Sequence, residues 1–380
     1  MSSQQQVHDG RRGRAWAKVR PRTAELCRCA EPLAGLPSQQ SLQSNIRANH
    51  AVHFRLIRTA LPVERCANAE RIRVALALLS SVPVFPESLM RRLAGSRLAR
   101  LANFTVRGTL NGVPLRVPVI AGIGMMQPPI WEQEPWLNAT FAKLLDSTEG
   151  AFVDVGVNLG QSLLKVKTLR PEIPYVGFEP NPVCVAYVRR LVTINRLRHV
   201  TIAPFGLSDH AGVVPLYARD DDETDSSATV VPGLYSTQDS WGKAPVAILP
   251  GDNALASLNI GRIGVIKIDV EGAELEVVRG LENTLADFRP AVVCEVLPTY
   301  SGGDGRRAFR QPRIDAFLEF MRRFEYRLFR LVPTGEVVPL DTIAPHSDRT
   351  LTNYLFVPPH ALESWTGSAP SRHLSKCEAM

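Results

Sequence analysis

Residues 151–195 read AFVDVGVNLGQSLLKVKTLRPEIPYVGFEPNPVCVAYVRRLVTIN. An apolar run, Phe152 to Val155, ends in Gly156-Val157-Asn158-Leu159-Gly160. A helical pattern follows, and a second apolar run, Tyr175 to Phe178, ends in Glu179. Strand, glycine turn, helix, strand and acid, in that order, make the first half of a nucleotide-binding α/β unit. Gly156 and Gly160 let the backbone approach a ligand that a Cβ would block. Glu179 stands at the end of the second strand, where an acid can take two ribose hydroxyls.

The details of the turn separate the ligands. A dinucleotide fingerprint wants glycine at the third and sixth positions. Here those positions hold Asn158 and Gln161. Asp154, inside the first strand, would repel a pyrophosphate but could hold an ammonium. A ligand with a ribose and an amino group but no phosphates meets both conditions. S-adenosylmethionine is such a ligand, and NAD is the less favoured alternative.

Outward from this stretch, strands and helices alternate. The apolar patterns predict strands over 152–155, 175–178, 200–204, 264–269 and 291–296, with helices over 160–169, 182–195 and 272–286. A helix over 312–324 and strands over 326–332 and 352–357 complete the series. Such alternation implies an α/β domain, a mostly parallel sheet with helices on both faces. An insertion of nearly sixty residues separates 204 from 264, and it carries the acidic run Asp220 to Asp225. That run reads either as a solvated loop or as a lid at the carboxyl edge of the sheet.

Upstream, FTVRGTL and VPLRVPVI flank Asn111-Gly112, a two-residue hairpin signal. Helical periodicity marks 43–80, 86–101 and 131–145, with Glu132 and Glu134 in the first turn of the last. Residues 1–42 are rich in Gln, Arg, Pro and Ser and are expected to be a disordered basic arm. The expected organisation is therefore an arm over 1–42, helices and a hairpin over 43–130, a catalytic domain over 131–358 and a flexible tail over 359–380.

The composition of the 380 residues, 45% hydrophobic and 21% charged, is that of a globular protein. The apolar run near Val74 to Phe85 is interrupted by Ser80, Ser81 and Pro83 and is too short to span a bilayer. No secretory signal is read at the N-terminus. Six scattered cysteines without a C-x-x-C pair suit reduced thiols in the cytoplasm. Net charge is +7, but residues 1–110 hold 18 Lys and Arg against 6 Asp and Glu. That bias raises a nucleic-acid partner as an alternative, weakened by the lack of interleaved aromatics.

A second stretch, VIKIDVEGAELE over 265–276, ends a buried strand in three acids, Asp269, Glu271 and Glu274. Acids at a helix start suit the helix dipole. Ligands of open α/β sheets, however, bind beyond the carboxyl ends of strands. Asp269 should share a crevice with Gly156 and Glu179, and Lys267, on its strand face, could pair with it. Glu295 ends the neighbouring strand. Asp269, Glu271 and Glu295 are candidate general bases. No third carboxylate completes a metal cage, so no metal is expected. Ser208-Asp209 falls where an adenine would lie, and His210 is a minor alternative base.

Taken together, FVDVGVNLGQ, GFEPNP, LSDHAG, IKIDVEGAELEVVRGL and PAVVCEVLP, in that order and spacing, resemble the FkbM family of S-adenosylmethionine-dependent methyltransferases. The resemblance covers roughly residues 130–357. It implies a Rossmann-like class I methyltransferase fold with a seven-stranded sheet closed by an antiparallel pair. It also implies O-methylation of a hydroxyl on a sugar or natural product. Carried over by residue, Asp154, Gly156, Asn158 and Gly160 surround the methionine part, Glu179 holds the ribose, and Ser208-Asp209 lies near the adenine. Asp269 and Glu271 flank the transferable methyl. Val157 replaces the usual alanine, and LPGD around Asp252 departs from the usual threonine-leucine-aspartate. A nucleic-acid methyltransferase and a non-catalytic cofactor-binding protein remain the alternatives.

Overall fold

The computed structural model describes residues 84–86, 103–121, 123–124, 129–146, 148–219, 223–300 and 305–366. The expected arm and the expected helices over 43–80 lie outside them. So does the expected helix over 86–101, apart from Pro86, which ends a short strand, β1 (Val84–Pro86).

The hairpin forms as its turn signal demands. β2 (Asn103–Leu110) and β3 (Val113–Ile120) pair antiparallel around Asn111 and Gly112, whose φ angles are 53° and 75°. Both lie in the left-handed region that two-residue hairpins need. Phe104, Val106, Leu115, Val117 and Val119 are buried in the same core as the helices that follow. Gly108 makes the docking close: a Cβ there would stand 2.5 Å from the Trp131 ring.

Helix α1 (Pro135–Asp146) starts later than expected. A proline is tolerated in the first turn because its missing N–H would be unpaired there. Glu132 and Glu134 therefore precede the helix. Then come β4 (Ala151–Val155), α2 (Gln161–Leu169), β5 (Tyr175–Phe178), α3 (Pro182–Asn195) and β6 (Val200–Ala203). The Asn181 side chain caps α3 by accepting from Val183 N, with Pro182 following.

The insertion is not a bare loop. β7 (Gly206–Ser208), β8 (Gly212–Ala218) and β9 (Gly242–Pro250) form a separate three-stranded sheet in the order β7-β9-β8, and α4 (Gly251–Ser257) follows. These strands escape a hydropathy reading because β8 and β9 are half exposed and carry Pro215 opposite Pro245. Asp252, in the LPGD departure, accepts from Asn283 N and Thr284 N at 2.8 and 3.0 Å.

β10 (Ile263–Ile268) is followed by two short helices, α5 (Glu274–Gly280) and α6 (Glu282–Phe288), where one was expected. The run breaks beside Gly280, which passes so close to the Ser208 carbonyl that a Cβ would stand 1.8 Å from it. β11 (Ala291–Glu295), α7 (Arg306–Arg322), β12 (Arg327–Leu331), β13 (Val337–Leu340) and β14 (Asn353–Val357) complete the domain. α7 begins six residues before the expected start and holds Pro312 inside it. Residues 359–366, expected as tail, include α8 (Leu362–Thr366), and Ala361, Leu362 and Trp365 pack against the core.

The main sheet runs β13-β12-β14-β11-β10-β4-β5-β6. β11, β10, β4, β5 and β6 pair parallel, and β14 is antiparallel to both β11 and β12. This is the mixed, mostly parallel α/β sheet of the class I methyltransferase fold. It has eight strands rather than seven, because β13 pairs with the outer side of β12. β13 carries Pro339, which an edge strand tolerates.

Alternation divides the sheet between two cores. Phe152, Tyr175, Val265, Val293 and Leu355 face the hairpin and helices α1 to α3. Val153, Val155, Ile266, Ile268, Val292 and Phe356 face α4 to α7. Burying each of these side chains contributes about 1.5–3 kcal/mol. With both faces covered, β4 is buried at every position, which is why it reads as a continuous apolar run.

Candidate active site

A cleft of about 290 Å³ opens over the carboxyl ends of β4, β5, β10 and β11. Its first wall is the glycine turn. Gly156 has φ +86°, and a Cβ there would stand 1.8 Å from the Asp269 carbonyl oxygen. Only glycine lets the ends of β4 and β10 meet this closely. Gly156 N donates to Phe178 O at 2.9 Å, and Asp269 N donates to Val155 O at 2.9 Å. Asn158 also holds a left-handed backbone, φ 48°.

Glu179 is locked into this wall. Its Oε2 accepts from Asn158 N at 2.7 Å and its Oε1 from Asn181 N at 2.8 Å. Burial pushes its carboxyl up to about 7, and the two backbone N–H groups oppose that rise.

Asp154 is placed differently from the expectation. It is fully buried beneath the cleft and does not line it. Tyr175 OH donates to its Oδ2, and the ammonium near its Oδ1 is that of Lys267, at 3.4 Å. Lys267 also reaches Asp269 at 3.1 Å and donates to Gly156 O at 3.0 Å. Burial opposes the charge on Lys267, but Asp154, Asp269 and Glu134 outweigh it and hold the ammonium well above the usual lysine range. Lys267 thereby ties both walls together from below.

The second wall is acidic. Asp269, Glu271 and Glu295 all line the cleft. Glu271 has φ 50°, and its carbonyl accepts from Thr229 Oγ1 at 2.6 Å. Its carboxylate accepts from Tyr235 OH at 2.6 Å. Burial, and then repulsion from Asp269, pushes Glu271 up to about 8. Glu295 accepts from Thr352 Oγ1 at 2.9 Å. Burial first, then Asp269, Glu271 and Glu134, push it up to about 9. Among the described residues no group of three or more His, Cys, Asp or Glu side chains is arranged to hold a metal ion.

Other expected contacts are not brought to the cleft. Gly160 does not line it; its α-carbon faces Leu191, which a Cβ would approach to 3.0 Å. Ser208 and Asp209 also stay outside the lining, which takes Gly206 and Leu207 instead. Asp209 meets His210 Nδ1 at 2.7 Å, and both are turned to solvent. The turn at Ser208 faces β9 and α5, as the Gly280 contact requires.

Several lining residues escape sequence reasoning. Glu134 and Gln133 reach the cleft from the segment before α1. The signal was Pro135, which moves the helix start past them. Asp225, Ser226, Ser227, Ala228 and Val230 cover the cleft from the insertion. Asn158 Nδ2 donates to Thr224 O at 3.4 Å and Asn181 Nδ2 to Glu223 O at 2.9 Å. Asp225 is fixed by Arg219, so the described end of the acidic run is a cover held by the glycine-turn wall rather than a solvated loop. Arg310 donates to Leu234 O at 3.1 Å and Pro298 O at 2.9 Å, anchoring the far end of the same segment.

Residues 154–328 match the family model described as "Methyltransferase FkbM domain". The chain carries an FkbM-family methyltransferase domain. The FkbM domain thus spans both walls of the cleft, from Asp154 through Glu295, and leaves Glu134 and β14 outside the matched range. FkbM methyltransferases draw their methyl group from S-adenosylmethionine. The residues present fit that cofactor: a backbone cradle at Gly156 that a Cβ would close, a fixed carboxylate at Glu179, and an excess of carboxyls suited to a cation.

The chain is 29% identical over 193 residues to methyltransferase sdnD of Sordaria araneosa, which covers 44% of this chain and 71% of that one. It is 27% identical over 156 residues to 2-O-methyltransferase NoeI of Sinorhizobium fredii, covering 38% and 63%. It is 28% identical over 142 residues to hexuronic acid methyltransferase AglP of Haloferax volcanii, covering 37% and 53%. The matched segments thus span between 53% and 71% of these relatives. No helix among the described residues is long and apolar enough to cross a membrane.

Proposed function

We propose that this protein transfers the methyl group of S-adenosylmethionine to a hydroxyl of a sugar or of a small natural product, in the cytoplasm. The observation that carries this reading is the junction of the two walls. Gly156 and Asp269 meet there, and Glu271 and Glu295 stand beside them with raised carboxyls. The lining residues hold six carboxyls, Glu134, Glu179, Asp225, Asp269, Glu271 and Glu295, against Lys267 and Arg349. Such a cleft repels a pyrophosphate and attracts a cation. The printed names of NoeI and AglP point to sugar derivatives as the acceptor class.

When bound, the cofactor supplies a methyl made electrophilic by its sulfonium, so the protein's part is alignment and proton removal. Glu179 orients the ribose end. Asp269, held by Lys267, positions the acceptor hydroxyl. Glu271, once deprotonated, takes the hydroxyl proton on its carboxylate, and a base raised to about 8 is well matched to that work. The segment 225–230 excludes water from the junction.

The test is transfer of labelled methyl from S-adenosylmethionine to a panel of hexoses, uronic acids, oligosaccharides, hydroxylated natural products and RNA. Label on a hydroxyl of the non-nucleic acceptors is expected. Asp269→Asn and Glu271→Gln should each lower the rate about a hundredfold or more, in the range of a lost general base. Label on RNA alone, or full activity in both variants, overturns the reading.

A further inference from the structure

We propose that Glu134, from the segment ahead of α1, receives the ammonium of the cofactor's amino-acid end, with the buried Lys165 positioning its carboxylate. The inference rests on the cofactor reading above and adds a residue outside the matched domain.

The expected receptor is otherwise engaged. Asp154 is sealed beneath the cleft and bonded to Tyr175 and Lys267. The carbonyl of Gly156, the next acceptor along the turn, already takes a hydrogen bond from Lys267. Glu134 is open to the cleft that contains Gly156, Asn158, Ser162 and Asp269. Its backbone is held at φ 46°, a conformation that non-glycine residues adopt rarely and that clusters at ligand sites. Pro135, fixed at the start of α1, leads the chain away behind it.

Lys165 is the second, independent observation. It lies on α2 nearly one turn beyond Ser162, a cleft residue, and is completely buried. Its Nζ has no hydrogen-bond partner among the described residues. A buried ammonium without one needs a nearby anion. Burial lowers Lys165 to about 8, and the opposite charge that most favours its ammonium is that of Glu134, ahead of Asp154. Asn353, at the start of β14, adds a smaller influence that favours the charged form of the same carboxylate. Burial, and then Asp269, push the Glu134 carboxyl up, and Lys165 and Lys267 oppose that rise. The amino-acid sulfonium brings two positive charges near Glu134, Asp269, Glu271 and Glu295 and relieves their mutual repulsion. A carboxylate facing the cleft, backed by a cation that cannot itself reach a ligand, is a receptor for an ammonium.

The experiment is calorimetry on the full chain with two probes. S-adenosylhomocysteine carries the amino-acid end, and 5′-deoxy-5′-methylthioadenosine lacks it. Glu134→Gln should weaken the first by about tenfold or more, as for a lost hydrogen bond to a charged group, and leave the second unchanged. Lys165→Met should act in the same direction, and Glu134→Asp should retain part of the affinity. Circular dichroism checks that each variant is folded, and Glu134→Asp serves if Glu134→Gln is not. Wild-type affinity for both probes in the variants, or equal loss of both, overturns the inference. If the wild-type chain binds neither probe, the cofactor reading fails and takes this inference with it.

Discussion

Glu179 and Glu295 are both carboxyls at strand ends of one cleft, yet their surroundings differ. Glu179 sits between two backbone N–H groups, and Asp154, the carboxyl that repels it, is the smallest of the influences on it. Glu295 has one hydroxyl, from Thr352, and shares its space with Asp269, Glu271 and Glu134. The first wall is complete without a ligand. The second is a crowd of like charges that becomes comfortable only when a cation or a proton arrives. In the proposed function the ribose clamp falls to the ordered wall and proton removal to the crowded one, because a base must be able to change its protonation state and a ribose clamp need not.

The contrast can be broken at four residues. The largest effect is expected at Gly156→Ala. Its Cβ would press on the Asp269 carbonyl at a positive φ, so both walls must shift. Thermal unfolding should show a loss of about 3 kcal/mol or more, the scale of clashes combined with backbone strain. Cofactor binding should vanish with it. A stable, binding-competent alanine variant would show that the strand ends are not held by that contact.

Next come Glu179→Gln and Glu295→Gln, measured side by side. At Glu179 the amide cannot accept both backbone N–H bonds, so ligand affinity should fall by about ten- to a hundredfold and stability by about 1–3 kcal/mol. At Glu295 the sign reverses. Its folded carboxyl is raised to about 9 from an ordinary 4.5, so burial favours the protonated form. The protein keeps that stability below about pH 4.5 and loses it as pH rises through about 9. A neutral amide removes this loss. Glu295→Gln should therefore unfold at a higher temperature than wild type, by a margin that widens from pH 5 to pH 9. A margin that shrinks with pH would mean that Glu295 is stabilised as an anion.

The smallest effect is expected at Tyr235→Phe. The phenol holds Glu271 down toward the ionised form. Without it the carboxyl should titrate higher, so the rising limb of kcat/KM, set near pH 8 by the free enzyme, should move to higher pH with a rate loss of only a few fold at its plateau. An unmoved limb would separate Glu271 from the proton transfer.

How much of this was legible follows the range of the contacts. The glycine turn and Glu179 could be read because their residues are close in sequence and their spacing is fixed by strand–turn–helix geometry. Asp269 beside Lys267 followed from the period of a strand, and the pair forms at 3.1 Å. Asp154 lies beneath the cleft rather than in its lining, and the same period does not say which face looks up into a cleft. Glu134 hid behind a helix boundary placed four residues early. Tyr235 and Asp225 lie in an insertion whose strands are too exposed and too rich in proline to announce themselves.

The sequence by itself determined the class of fold, since alternating apolar runs bury both faces of a parallel sheet and leave its strand ends as the one edge open to ligands. Through Asn158 and Gln161 it also disfavoured a pyrophosphate. Only the tertiary structure decided which acids share the cleft. Glu134, Asp269, Glu271 and Glu295 come from segments up to 161 residues apart, and sheet order, not sequence spacing, brings them together. The raised carboxyls of Glu134, Glu271 and Glu295 come from burial first and from that crowding second, and no single segment carries them.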